Sequence, residues 1–404
     1  MFTAMLRNLR DLPAALTLSA IVSGLLVIVI GYPSSLVIVF QAAQNAHLTP
    51  EQTSSWVLAI TLGSGIGGII MSLWFRQPIS FAWSTPGVAL LVTSLAQYAY
   101  GEAIGAYLLA GVAVVLMGFS GLFGRVMALI PMPLVLGMLA GILIRFGIGA
   151  FNAIPQAPLV VVPMIVIFFI LRRRAFRAPV AIALIVGFVL AAVTGTIHLD
   201  GFTLTLATPQ LTAPIFTIQA ALGLALPLFA LALTSQNAPG QAVLRNAGYE
   251  IAIDKALIVS GVMSIITAPF GGHGVTLAAI TAALINGTEA HPDPDKRYSA
   301  GVAAGVWYIV TGVFGAAIVT LFAGLPAALI AATAGLGLTS AILSSLSGAM
   351  AETHGREGAL VALMCTAANF SLFGIGAPFW GLVFGLGVHW IMTSSFAMRT
   401  KTTR

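Results

Sequence analysis

His273 is the titratable side chain best placed for chemistry in an apolar setting. It stands in APFGGHGVTLAAITAALING, residues 268–287, with glycines on both sides and no other ionisable group in the stretch. An imidazole titrates near neutrality and suits proton uptake and release. Two readings are open: a substrate or proton group, or a neutral histidine bonded to a nearby carbonyl. A second polar run is Thr234, Ser235, Gln236 and Asn237, after LALPLFALAL and before Pro239-Gly240. Gln236 and Asn237 have amide donors that could orient a carboxylate. Equally, they could fasten helix to helix. A third cluster is Ser84, Thr85, Pro86 and Gly87, with Phe81 and Trp83 just before it. Phe81, Trp83 and Phe270 are the aromatic walls an aromatic ligand would want, or ordinary packing aromatics.

What is missing narrows the chemistry. The 11 Asp and Glu residues all fall in loops or near the ends of apolar runs. A cation carrier would usually hold an acid at depth. The single cysteine, Cys365, excludes a disulfide framework and a multi-cysteine metal site. No cofactor motif is present. The runs GSGIGGII (63–70) and GVAAGV (301–306) lack the strand–helix setting of a nucleotide loop and suit close helix packing instead. An intramembrane enzyme would need a nucleophile or metal constellation that is not visible. Asn369 is assigned to helix packing and Arg145 to an outer membrane interface.

The elements that must position these groups are membrane spans. Hydrophobic residues are 59% of the 404 and charged residues 7%, and mean hydropathy is +1.04. A soluble domain carries about 25% charged residues. At about 20 apolar residues per span, the pattern predicts an all-α polytopic membrane protein of about fourteen spans, seven in each half. The first span is expected at 12–31, continuing brokenly through 33–44, and is retained, not cleaved. The longest polar interruption, 196–216, alternates Phe202, Leu204 and Leu206 as a short extended surface stretch. It divides the chain into 1–200 and 201–404. With the N-terminus cytoplasmic, every Lys and Arg except Arg145 falls inside, among them Arg177, Arg399, Lys401 and Arg404. That places both termini inside, and explains a pI near 9.8 by topology and attraction to anionic lipid, not nucleic acid.

An odd number of spans per half inserts the halves with opposite orientation, as in the inverted repeats of secondary transporters. The third span should then match the tenth. Residues 78–97, PISFAWSTPGVALLVTSLAQ, have an extended front and a short helix capped at Ser84 or Thr85. Residues 268–287 are expected to match, with a helix starting at Val275. Two such helix N-termini facing each other at mid-membrane would favour an anion.

With these residues in view, the chain resembles the benzoate/proton symporter family (BenE) of bacterial inner membranes. The resemblance covers nearly the whole chain. It is carried by LPAALTLSAIVSGLLVIVIGYPSSLVIVFQAA, ISFAWSTPGVALL, LTSQNAPGQAVLRNAGY and APFGGHGVTLAAITAAL. The wider fold, shared with uracil/xanthine permeases and sulfate carriers, implies core and gate bundles built from both halves, and often a homodimer. It implies a substrate between the third and tenth half-helices, touched from the eighth span. Carried onto this sequence, the substrate residues are Phe81, Ser84, Thr85, Gly87, Gln236, Asn237, Phe270, Gly272, His273, Gly274 and Val275, with His273 carrying the proton. Where uracil-type carriers have carboxylates, this chain has His273 and the amides of 235–237, which suits an anionic substrate. The implied function is proton-coupled uptake of an aromatic carboxylate such as benzoate, with no cofactor or metal. The alternatives are another anion or a nucleobase in the same fold, or a channel.

Overall fold

The computed structural model describes residues 2–176, 178–197, 204–279, 281–353 and 355–393. Arg177, Asp200, Phe202, Arg399, Lys401 and Arg404 lie outside them. The first half holds helices α1 (Phe2–Ala15), α2 (Leu18–Asn45) and α3 (Pro50–Phe75), strand β1 (Phe81–Trp83), then α4 (Thr85–Ser94), α5 (Tyr100–Ser120), α6 (Phe123–Leu129), α7 (Met132–Asn152), α8 (Pro158–Arg173) and α9 (Pro179–Val193). In the second half, α10, α11 and α12 (Ile218–Ala220, Leu226–Leu231 and Ala238–Asn246) form one long helix with π-helical turns at Ala221–Ala225 and Ala232–Asn237. Then come α13 (Ile253–Thr267), β2 (Val275–Leu277), α14 (Ala283–Asn286), α15 (Tyr298–Val313), α16 (Gly315–Ala323), α17 (Ala327–Ala349), α18 (Arg356–Ala368), a hairpin of β3 (Ser371–Leu372) and β4 (Ile375–Gly376), and α19 (Ala377–Thr393).

Seven described helices are long and apolar enough to cross a membrane. A further pair, 294–313 and 315–323, passes the same test together but bends by 60° at its break. The helices 85–97, 179–193 and 377–392 are apolar and shorter.

The first span differs from expectation at both ends. Residues 12–15 belong to α1, a separate amphipathic helix tied down by Asn8 Nδ2 donating to the Leu73 carbonyl (2.8 Å) and by an Arg76–Asp11 ion pair (2.7 Å). The Asp11 carboxylate beside it raises the Arg76 pKa. Thr17 then starts α2 by accepting from the Ala20 amide (3.2 Å). Beyond it the helix runs unbroken past residue 33. Leu36, Val37, Ile38, Val39 and Phe40 are all buried, and packing around the whole helix overrides the local break signal.

The glycine runs do what close packing requires. A Cβ on Gly65 would meet the Gly305 carbonyl oxygen at 2.5 Å, and one on Gly305 the Gly65 carbonyl oxygen at 2.6 Å. So α3 and α15 touch backbone to backbone. Helices α2, α3, α5, α13 and α15 pack with β1 and β2 in one group, and α7, α17, α18 and α19 in another. Residues 204–216 form neither helix nor strand. They are pinned by Ala207 N to Val313 O (2.9 Å), Gln210 N to Ser55 Oγ (2.8 Å), Thr212 N to Pro269 O (2.8 Å) and Ile215 N to Gly101 O (2.8 Å).

Candidate functional site

Two strands far apart in sequence cross at the centre of the first helix group. β1 and β2 pair antiparallel, with Phe81 opposite Leu277, Ala82 opposite Thr276 and Trp83 opposite Val275. The ladder extends at both ends, through Ala278 N to Ser80 O (3.0 Å) and Ser84 N to Gly274 O (3.2 Å). The expected helix from Val275 is therefore absent, and the helical piece that follows, α14, has only 4 residues. Side chains elsewhere hold the extended form. Ser264 Oγ accepts from Val275 N (2.9 Å), and Asn237 Oδ1 accepts from Leu277 N (3.1 Å). Upstream, Gly271 (φ 98°) and Gly274 (φ 138°) take backbone angles that L side chains rarely adopt.

The short helix expected after Ser84 is present. Ser84 caps α4, its Oγ accepting from Gly87 N (3.0 Å). This cap also takes up part of the helix N-terminus. Pro86 has no amide proton, Gly87 is taken by Ser84 Oγ, and Val88 N donates to the Ser84 carbonyl (2.9 Å). A pair of converging, uncommitted helix N-termini is not present.

His273 is buried at 2% exposure and bonded on both nitrogens. Trp56 Nε1 donates to Nδ1 (2.9 Å), and Nε2 lies 3.1 Å from the Ser84 carbonyl. An indole N–H only donates and a carbonyl only accepts, so Nδ1 is the acceptor and Nε2 carries the proton. The ring is neutral in this arrangement. A proton on Nδ1 would face the indole N–H and break the Trp56 bond.

Beside His273 runs a cleft lined by Ser84, Gly274, Val275 and Thr276, by Tyr107, Ala110, Gly111 and Val114 of α5, by Leu228, Phe229 and Ala232 of the long helix, and by Ser264 of α13. The space free of atoms is small, with room for little more than a water molecule. The free space is narrow, and side chains must part for a benzene-sized ring. Among the described residues no Asp or Glu is buried.

Of the residues singled out from sequence, Ser84, His273, Gly274 and Val275 line this cleft. Thr85 Oγ1 instead meets Ser35 Oγ (3.0 Å), and Gly87 sits under the cap. Phe81 is fully buried against Met71, Ile79, Val275 and Leu277. Phe270 lies in the turn before Gly271, its carbonyl taken by Ser55 Oγ (3.0 Å), and Gly272 N closes that turn on Thr267 O (3.0 Å). Asn237 fastens the π turn to β2, its Nδ2 donating to Ala232 O (2.8 Å). Gln236 makes no side-chain hydrogen bond among the described residues. Asn369 ends α18 in the left-handed conformation (φ 53°), and Arg145 is exposed on α7. Sequence reasoning missed Trp56, Tyr107 and Phe229. The π turn around 232–237 had no local signal, although such turns often mark functional sites.

The family model for the benzoate membrane transport protein, BenE, matches residues 14–391. The chain belongs to this family. Among BenE relatives, the benzoate membrane transport protein of Acinetobacter baylyi is 38% identical over 384 residues, 95% of this chain and 98% of that one. The inner membrane protein YdcO of Escherichia coli K12 is 39% identical over 381 residues, 94% of this chain and 97% of that one. BenE is a transporter family, not an enzyme family. In structure, the chain is similar to the transmembrane domain of the cyanobacterial bicarbonate transporter BicA, with a TM-score of 0.59 at 15% identity over 92% of this chain and 97% of that one. That likeness concerns the fold alone.

Proposed function

We propose that this BenE protein imports benzoate or a related aromatic carboxylate together with a proton, by alternating access in a bacterial inner membrane. The observation that carries the reading is the cleft itself. Its one imidazole is that of His273, its other polar groups are uncharged, and Leu228, Phe229 and Val114 provide apolar surface for a ring. A fixed carboxylate on this wall would repel the substrate; none is there. The Ser84 hydroxyl, which accepts from Gly87, still has its own proton to give to a carboxylate. Gly274 and Val275 form the facing wall. Gln236 reaches the site only if the long helix turns, and Phe229 takes the part first assigned to Phe81 and Phe270.

His273 is the proton group of this proposal. Protonation at Nδ1 requires release of Trp56, so loading the proton and shifting α3 against residues 271–276 become one event. A proton and a monoanion cross as a neutral load, so accumulation should follow the pH gradient. In this reading about fourteen spans, including short and broken ones, form two halves of opposite orientation over 1–200 and 201–404. The β1–β2 group serves as the core, the α7–α17–α18–α19 group as the gate, and both termini lie inside. A homodimer in the lipid bilayer is compatible with this arrangement.

The test is uptake of labelled benzoate into proteoliposomes under an imposed inward proton gradient. Gradient-dependent accumulation is expected; uptake indifferent to the gradient refutes the coupling. The narrowness of the cleft favours one second reading, a smaller anion such as the bicarbonate carried by the structural neighbour. Competition by unlabelled benzoate, bicarbonate and uracil separates them.

A further inference from the structure

Tyr107 presents a problem that the fold alone does not solve. It is buried at 1% exposure, and its hydroxyl has no hydrogen-bond partner among the described residues. Leaving a buried hydroxyl unpaired is costly enough that folded proteins usually avoid it. The ring sits on the wall of the His273 cleft, two turns along α5 from the start of that helix.

An inventory of the cleft wall makes Tyr107 stand out. Ser84 Oγ holds Gly87 N, and both His273 nitrogens are engaged. Ser264 Oγ donates to Ser260 O (2.8 Å) and accepts from Val275 N. Thr276 Oγ1 lies 3.3 Å from the Ala82 carbonyl. The Tyr107 hydroxyl is the one side-chain polar atom of this wall without a partner among the described residues. Among backbone donors, Gly87 N and Val88 N of α4 are paired, and so are residues 275–277 of the strand.

From this inventory we propose that the Tyr107 hydroxyl is a specificity-determining donor that binds the substrate's carboxylate oxygen. The proposal rests on the aromatic-carboxylate reading above and deepens it. An uncharged phenol suits the task. It donates one directed hydrogen bond to an anion and leaves no fixed charge when the site is empty. Its ring adds to the apolar wall, beside Val114 and Phe229. A substrate without an acceptor at that position forgoes the bond, and a neutral acceptor makes a weaker one than a carboxylate, so neutral analogues bind less tightly.

The test is Tyr107→Phe, with Tyr98→Phe as a control whose ring packs at Gly223, outside the cleft. Three quantities are read: benzoate KM in proteoliposomes, maximal uptake rate, and the melting temperature of the purified protein without benzoate. Tyr107→Phe is expected to raise KM about tenfold, the loss of one hydrogen bond to a charged acceptor. Its benzoate-free melting temperature should be unchanged or higher, because an unpaired polar atom has been removed. Tyr98→Phe should leave KM as in the wild type. An unchanged KM in Tyr107→Phe overturns the proposal. So does a lowered melting temperature with unchanged KM, or a variant that cannot be purified folded, since either makes the hydroxyl a structural group. Wild-type protein that takes up no benzoate at all refutes the substrate reading instead, before the variant is measured.

Discussion

Asn237→Ala separates two roles that the sequence left open, substrate ligand and helix fastener. Asn237 is fully buried, and its amide spans 40 residues of chain to hold Leu277 N at 3.1 Å while Nδ2 holds Ala232 O at 2.8 Å. Truncation strands the Leu277 amide inside the bundle, at about 1–3 kcal/mol, and removes a second bond worth about 1 kcal/mol. The Ala232 carbonyl retains its π-turn partner, so the second loss is not a full desolvation penalty. The total is about 2–4 kcal/mol, enough to lower the melting temperature clearly. The assay is thermal unfolding of the detergent-purified protein followed by size exclusion, beside benzoate uptake normalised to folded protein. The expected result is a lower melting temperature with KM within about twofold of the wild type, because the amide is already committed on both its oxygen and its nitrogen. Gln236→Ala, one residue away and free of such bonds, should leave the melting temperature unchanged. An Asn237→Ala protein of wild-type stability whose KM rises tenfold would refute the fastener argument and return Asn237 to the substrate.

Two further predictions follow from contacts already described. Trp56→Phe removes the donor to His273 Nδ1, a bond worth about 1 kcal/mol to the neutral ring. At about 1.4 kcal/mol per pH unit, half-maximal uptake should move to higher pH by somewhat under one unit in proteoliposomes titrated over a wide pH range; an unshifted profile removes His273 from the proton step. Gly65→Val forces a branched side chain into the α3–α15 contact, where even its Cβ would lie 2.5 Å from the Gly305 carbonyl oxygen. Loss of folded, monodisperse protein on size exclusion is expected, and wild-type expression and uptake would refute the close α3–α15 contact.

Much of the architecture was legible because membrane solvation leaves few options. Long apolar runs must be helices, and Ser84 before Pro86 is a cap in any context. The segments around 81 and 275, which the sequence pattern set side by side, do meet, as the paired strands β1 and β2. The helix predicted at Val275 failed because its amides find partners that no local window contains: Ser264, Asn237 and β1. Val275 and Thr276 are themselves β-branched and suit an extended backbone. The same blindness hid Trp56. Nothing in SSWVLAI announces an indole aimed at a histidine 217 residues later. Phe81 was misjudged for a related reason: its position beside the site was legible, but which face of a three-residue strand it occupies depends on register.

The two events the proposed mechanism requires meet in one place. Benzoate needs the cleft to widen, and its wall on one side is residues 273–276. The proton needs Nδ1 of His273, and that nitrogen is closed by Trp56 from α3. Both ligands are thus opposed by the same closed arrangement of the 271–276 segment against its neighbours. Whichever binds first meets the cost of opening, and the second then binds without it, which is positive cooperativity between proton and substrate by linkage. No carboxylate relay is needed for such coupling. The consequence is measurable in binding alone: benzoate affinity in detergent should rise as pH falls, and Trp56→Phe, in which the proton site is already open, should flatten that dependence at its alkaline end.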